Sequence, residues 1–188
     1  MDKVNYYRMW FDDSDPLAMI CRKADLGAVS EHFVYQPRPV KEWPARITFY
    51  AEGQHAEDYL FPTMVNWILV SERVKQMLDQ LPLDGVQFLP VNVVTVADGA
   101  EMLGYHVLHV WKQISALDKE RTIFSTSRHE DYPQLDIVRA VLRRAAIGGA
   151  NMFRLRERNT SVYVSQLVKE CFEDKGLTGF RWFPVPSY

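Results

Sequence analysis

One stretch of this chain matches another stretch of the same chain when the sequence is shifted by 94 residues without a gap. Residues 70–91 and 164–185 are identical at 8 of 22 positions, whereas roughly one or two identities arise by chance at average residue usage. In the first copy these positions are Val70, Ser71, Val74, Lys75, Leu83, Gly85, Pro90 and Val91. The match predicts two similar structural units that share one core.

Each copy has the pattern of a strand that leads into a capped helix. The apolar runs at 67–70 and 161–164 have the length and β-branched content of strands, and they lead to Ser71 and Ser165. A serine hydroxyl at this place accepts hydrogen bonds from the free N–H groups of a helix's first turn. Neither serine has the G-x-S-x-G surroundings of a nucleophile elbow, so the pattern favours capping over nucleophilic catalysis.

After each serine, apolar residues recur at the spacing of an amphipathic helix. The predicted stripes are Val74, Met77, Leu78 and Leu81 in the first copy and Leu167, Val168, Cys171 and Phe172 in the second. Gly176 is predicted to end the second helix in the left-handed conformation. Strand–helix–strand units are therefore expected at 67–91 and 161–185, with both helices packed against a sheet.

The remaining pattern predicts further strands and one more helix. Strands are expected at 5–11, 46–50, 86–89, 91–96, 105–111, 152–156 and 162–164, and an extended segment at 32–40. A third helix is expected over 135–146, where apolar and arginine positions recur at helical spacing before Gly148-Gly149. The predicted fold class is α+β, a single domain over 1–188 with a mixed, mostly antiparallel sheet and about three or more helices.

Composition excludes several classes of function. The net charge of -2 provides no overall positive field toward nucleic acid or anionic lipid. The first residues are polar and lack the apolar core of a signal peptide, no apolar run approaches the length of a membrane span, and there are only two cysteines. A cytoplasmic protein with no nucleic-acid partner and no membrane partner is predicted, and its oligomeric state stays open.

Charge is nevertheless uneven along the chain. Residues 1–100 hold 9 Lys+Arg and 14 Asp+Glu, whereas residues 101–188 hold 13 and 10. The acidic run at 12–16 lacks the glycine and the final glutamate of a calcium loop, so it is interpreted as a turn. The basic side chains concentrate at Arg139, Arg143, Arg144, Arg154, Arg156 and Arg158. Alternation places the last three on one strand face, as a solvated surface or as an anionic-ligand patch.

No catalytic or metal-binding motif stands out. The five histidines form no H-E-x-x-H motif and no recognised zinc spacing. Ser125–Asp131 gathers hydroxyls, an imidazole and carboxylates, either as a polar connecting loop or as the site of a small hydrolase or transferase. No catalytic, metal-ligating or cofactor-binding residue is predicted.

Several motifs together resemble a known bacterial family. They are Phe88-Leu89-Pro90-Val91, Tyr105–Val110 followed by Leu117-Asp118, Met152–Leu155, Val162–Ser165 and Gly176–Val185. This set is similar to the immunity proteins of polymorphic toxin systems, a family first catalogued as a domain of unknown function and typified by a myxobacterial member. The resemblance spans residues 57–185, and residues 1–56 match no family that we recognise.

The resemblance implies a cytoplasmic protein that binds and neutralises a cognate toxin, without an enzyme activity or a cofactor. The family contributes no catalytic residues. We hypothesise that acidic side chains of the N-terminal half contact the toxin and steer toward a basic one: Asp12, Asp13, Asp15, Glu52, Glu57 and Asp58. One alternative is a small hydrolase or transferase with its site around residues 125–131 or at the arginines of 139–158. The other is an adaptor that loads a secreted effector without inhibiting it.

Overall fold

The computed structural model describes residues 6–44, 46–126 and 135–188. Thirteen β-strands and three α-helices lie in this described part of the chain. The strands are β1 (Tyr6–Phe11), β2 (Ile20–Asp25), β3 (Thr48–Glu52), β4 (Tyr59–Pro62), β5 (Leu69–Ser71), β6 (Val86–Thr95), β7 (Glu101–Val110), β8 (Gln113–Ile114), β9 (Ile123–Thr126), β10 (Leu135–Arg139), β11 (Met152–Leu155), β12 (Val162–Ser165) and β13 (Phe180–Val185). The helices are α1 (Glu72–Leu78), α2 (Arg144–Ile147) and α3 (Gln166–Asp174), and a 3-10 helix spans Glu31–Tyr35.

Six strands close into a barrel in the order β2-β3-β6-β7-β5-β4. Neighbouring strands are antiparallel, except that β2 pairs with β4 and β3 with β6 in parallel. Because alternate side chains of a strand point to opposite faces, every strand contributes to one interior apolar cluster. Trp67 is 1% exposed in this cluster and lies edge-on to Phe33 and Phe49.

Five other strands form an open sheet in the order β13-β1-β12-β11-β8. Neighbours are antiparallel except for the parallel pair β11 and β8. Part of its outer face is covered by the chain after β8, where Leu142 and Ile147 pack on Tyr6, Phe153 and Tyr163. Strands β9 and β10 form a separate antiparallel ribbon.

Helices α1 and α3 occupy one core that joins the barrel to the open sheet. Val74, Met77 and Leu78 of α1 are buried there together with Val168 and Phe172 of α3. The predicted stripes are therefore present, with two differences. Leu81 packs against the core but lies beyond the end of α1 at Leu78. Leu167 is 45% exposed. The buried stripe of α3 is therefore narrower than the spacing of its apolar residues suggests.

The two units pair with a third strand in the same register. In the barrel β7 lies between β5 and β6, and Tyr105 is opposite both Ser71 and Val91. In the open sheet β1 lies between β12 and β13, and Tyr6 is opposite both Ser165 and Val185. This likeness concerns the pairing of strands; that 67–91 and 161–185 are one repeated strand–helix–strand unit stays a prediction.

The helix predicted over 135–146 is wrong. Residues Leu135–Arg139 are the strand β10, and only Arg144–Ile147 are helical, before Gly148 at φ 62°. The β-branched pair Ile137 and Val138 suits a strand, and pairing with β9 supplies backbone hydrogen bonds that a sequence pattern does not reveal.

Two strand boundaries also differ from the prediction. Residues 86–96 do not form two strands, because β6 runs through Pro90 with only a register shift after Val91. Pro90 is tolerated because β3 pairs with β6 only from Asn92 onward, so β3 needs no donor from Pro90. The segment 32–40 begins in the 3-10 helix rather than as an extended edge.

The α+β fold class is confirmed, with three helices and mixed sheets. The strands are divided among a barrel, an open sheet and a ribbon. This division leaves part of one sheet face uncovered, and that part carries the first candidate surface.

Candidate interaction surfaces

A groove of about 480 Å3 lies on the outer face of the open sheet. Strand β1 lines it with Arg8 and Trp10, β13 with Phe183, and β10 with Val138 and Arg139. Side chains alternate along β1, so its intervening residues point into the core between sheet and barrel. We call the groove that these five side chains line the arginine–aromatic groove.

The groove side chains stack on one another. The guanidinium carbon of Arg8 lies 5.3 Å from the ring centre of Trp10 and 5.0 Å from that of Phe183. Arg181, the cross-strand partner of Trp10, stacks on Phe183 at 5.3 Å. Cation–π contacts of this kind restrict the guanidinium groups before any partner binds.

Large apolar groups in the groove face solvent. Trp10 is 46% exposed and Val138 is 63% exposed. Among the described residues, no carboxylate pairs with Arg8 or Arg139. Exposed Trp beside Arg is the composition of binding hot spots rather than of a reaction centre.

The acidic turn between β1 and β2 borders this groove. Asp13 receives a hydrogen bond of 3.0 Å from Arg181. Asp15 lies 2.7 Å from His55, and hydrogen bonds from His55 and from the backbone of Leu17 lower the pKa of the Asp15 carboxyl. Asp12 accepts the backbone N–H of the turn. These carboxylates are largely engaged within the chain.

The other predicted acidic residues occupy three different environments. Glu52 is exposed on β3 and pairs with Arg22 at 3.5 Å. Within the described part of the chain, one carboxylate oxygen of Glu57 is buried without a hydrogen-bond partner. Burial raises the pKa of Glu57, and the nearby carboxylates of Asp15 and Asp12 raise it further.

Asp58 is 5% exposed and belongs to the core of the fold. Its carboxylate accepts the Ser71 hydroxyl at 2.5 Å, Arg73 at 2.9 Å and the backbone N–H of Thr178 at 3.0 Å. These bonds tie the first helix cap to the loop after α3. A carboxylate with this set of donors is not available to a partner.

Ser71 and Ser165 are the N-caps of α1 and α3. Each hydroxyl accepts from the backbone N–H three residues on, Val74 or Val168. The Ser165 hydroxyl also donates to the side-chain oxygen of Asn151 at 2.8 Å. Both hydroxyls are therefore committed to structure.

The end of α3 also has a defined geometry. Gly176 follows the C-cap Lys175 and has φ 58°, and its N–H donates to the carbonyl of Glu173. A left-handed residue at this place costs glycine little, because it has no Cβ.

The basic residues of the C-terminal half do not form one patch. Arg154, Arg156 and Arg158 do not share a strand face, because β11 ends at Leu155 and Arg154 is 1% exposed. Arg154 donates to the carbonyl oxygens of Val110 and Asn159, and burial lowers its pKa to about 10.

The remaining arginines are dispersed in the same way. Arg143 donates to the carbonyl of Ser115, and Arg144 to the hydroxyl of Ser187. Arg139 and Arg158 line the groove instead.

The polar segment Ser125–Asp131 is only partly described. Ser125 lies in β9, and residues 127–131 fall outside the described residues.

Comparison with known families matches most of the chain. The sequence model of the immunity protein family Imm11 covers residues 13–186 of the 188. The chain belongs to this family. A search of curated proteins finds no match. The match reaches well into the region 1–56 that the resemblance left out, so in this Imm11 family chain the acidic turn and the barrel strands β2 and β3 are family regions too.

Within the described part of this Imm11 family chain, no helix has the length and apolar character needed to cross a membrane.

The arginine–aromatic groove was missed from sequence. The available signal was the alternation of Arg8 and Trp10 with Arg181 and Phe183 in two segments predicted as strands. The alternation alone does not show that β1 pairs with β13, because this pairing joins residues more than 160 positions apart in the sequence.

Proposed function

We propose that this protein neutralises a cognate bacterial toxin by binding it as a stoichiometric protein inhibitor. The observation that carries the proposal is membership of an immunity protein family over residues 13–186. The proposal includes a cytoplasmic location, a protein partner rather than nucleic acid or membrane, and no enzymatic step.

The described side chains support a binding role. The cap serines and Asp58 use their polar groups in hydrogen bonds within the fold, and Arg154 donates two such bonds. Trp10 and Arg139 are exposed, and we expect them to contact the partner. A rigid scaffold with a complementary surface is what an inhibitor requires.

We further propose that the acidic turn acts as a charged rim of the contact surface. Asp12, Asp13 and Asp15 lie at the end of β1, next to the groove through the Asp13–Arg181 pair. Rim charges change mainly the association rate and its salt dependence. Lysine substitution at all three positions is therefore expected to lower the association rate at low salt and to have little effect at high salt.

We leave Asp58 out of this rim because it is buried, and we keep Glu52 and Glu57 as further members. An unchanged association rate of the triple variant at low salt would remove the turn from the contact surface.

Co-expression with a candidate toxin gene from the neighbourhood of this protein's gene tests the function. Induction of that neighbour alone is expected to stop growth of a bacterial host, and induction of both is expected to restore it. The two proteins should then elute together at a fixed molar ratio. Growth arrest in the presence of soluble protein would refute neutralisation. A complex that forms without protection would indicate an adaptor instead.

A further inference from the structure

We propose that the arginine–aromatic groove receives a segment of the toxin that carries aspartate or glutamate together with a large apolar side chain. This inference rests on the proposed function and names the surface and the chemistry of its partner. Three strands line the groove: β1, β13 and β10. They lie far apart in sequence.

The charge of the groove indicates carboxylates as its partners. Arg8 and Arg139 line it without a carboxylate partner among the described residues, whereas the nearby Arg181 is already paired with Asp13. Guanidinium groups match carboxylates with two parallel hydrogen bonds, which provide both strength and orientation. Two unpaired guanidinium groups therefore favour a segment with at least one acidic residue.

The apolar groups indicate that the same segment carries a large side chain. Trp10 and Val138 are exposed, and the ring of Phe183 contacts the guanidinium groups of two arginines. Stacking restricts Arg8 before binding, so less conformational entropy is lost when a partner docks. An apolar side chain inserted beside Trp10 would remove the exposed ring from water and strengthen the ion pairs around it.

The surroundings favour a protein segment over a nucleic acid. A phosphate backbone would extend beyond the groove along β1, where it would meet the acidic turn at Asp12 and Asp13. The chain as a whole has a net charge of -2. Nucleic-acid binding rests on many phosphate contacts from a basic surface, and this groove is a small basic area bounded by carboxylates.

Site-specific photo-crosslinking tests where the toxin docks. A benzophenone amino acid replaces Val138 in the full-length chain, and a matched control replaces Leu103, which is 84% exposed at the β6–β7 hairpin. The probe is the toxin identified by co-expression, purified as a complex with this protein and irradiated with and without prior nuclease treatment.

We expect the Val138 probe to crosslink to a toxin peptide that contains Asp or Glu, and the Leu103 probe not to crosslink. Crosslinks only from Leu103, or loss of the Val138 crosslink after nuclease treatment, would overturn the inference.

Charge reversal measures the contribution of the arginines. Arg8→Glu with Arg139→Glu is expected to weaken toxin binding at least about 30-fold, the effect of losing a hot spot. Lys41→Glu with Lys119→Glu changes the net charge equally at two exposed positions and is the control, with an expected change below about threefold. Arg139→Glu alone changes only an exposed residue and keeps the test valid if the double variant is poorly folded.

The outcomes separate the two proposals. If the unaltered protein neither binds nor protects, the proposed function fails. If it binds and protects while Arg139→Glu and the double variant bind equally well, only the groove inference fails.

Discussion

Strands β1 and β7 occupy equivalent places in two differently closed sheets. Tyr6 and Tyr105 begin equivalent stretches, each opposite a cap serine on one side and a valine on the other. Two residues further along, β1 has Arg8 and β7 has Val107. Val107 is completely buried inside the barrel, whereas Arg8 lines the groove.

The next position on the same face shows the same contrast. Trp10 is 46% exposed, and its counterpart His109 is 0% exposed. Closing a sheet into a barrel encloses one face entirely, whereas an open sheet leaves that face available unless other segments cover it. The two strands thus share a local arrangement, and among the described residues the open sheet leaves part of this face exposed.

The helix caps differ in a related way. In the first unit the Ser71 hydroxyl and backbone N–H both bond to Asp58, and in the second those of Ser165 both bond to Asn151. An anionic acceptor in one unit is replaced by a neutral amide in the other. The anionic one also recruits Arg73 and the loop after α3, so it links the two units.

Exchanging the residue types at these two positions should lower the free energy of unfolding by very different amounts. Val107→Arg places a charge in the closed barrel and is expected to lower the free energy of unfolding by more than about 4 kcal/mol. Arg8→Val removes only a partly exposed stacking contact and is expected to cost less than about 1 kcal/mol. Urea denaturation measures both, and similar losses would show that the two faces are not differently enclosed.

The two cap acceptors should also differ in their contribution to stability. Asp58→Ala leaves several donors unpaired in the core and is expected to lower the free energy of unfolding by about 3–5 kcal/mol. Asn151→Ala is expected to cost about 1–2 kcal/mol, since it removes one neutral hydrogen bond. Equal losses in thermal and urea unfolding would contradict a linking role for Asp58.

Removing the cap hydroxyls should have a smaller effect. Ser71→Ala and Ser165→Ala are each expected to cost about 1 kcal/mol. The loss should be greater at Ser71, because Asp58 then lacks a donor at one oxygen. Threonine at either position retains the hydroxyl and is the control. A larger loss at Ser165 would reverse the comparison.

The smallest effect concerns the buried histidine that corresponds to Trp10. His109 donates from Nε2 to the carbonyl oxygen of Arg38, and burial lowers its pKa. The unfolded chain therefore takes up a proton near pH 6.5 that the folded chain does not, so stability present above that pH is lost as pH falls. This term amounts to at most about 0.7 kcal/mol between pH 7 and pH 6.

The pH dependence can be assigned by substitution. His109→Gln is expected to flatten the fall in unfolding free energy over this range, whereas His32→Gln, at an exposed position, should not. An unchanged slope in His109→Gln would place the proton uptake elsewhere.

Local patterns predicted the elements well where the local chemistry is decisive. The spacing after Ser71 and Ser165 anticipated α1 and α3, and alternation anticipated β1, β7 and β12. The helix expected over 135–146 was wrong because pairing with β9 outweighed a helical spacing. The acidic residues were predicted from the charge of the N-terminal half. The sequence did not show that Asp58 is buried or that Asp13 pairs with Arg181.

The amino-acid sequence by itself determined the α+β class, the capped helices and the resemblance to immunity proteins, because these depend on residue type and short spacing. The tertiary structure alone decided which sheet closes and which stays open. It placed Arg8 beside Phe183 through strand pairing across almost the whole chain. Such long-range pairing depends on many weak contacts summed over the fold, and no local pattern records it.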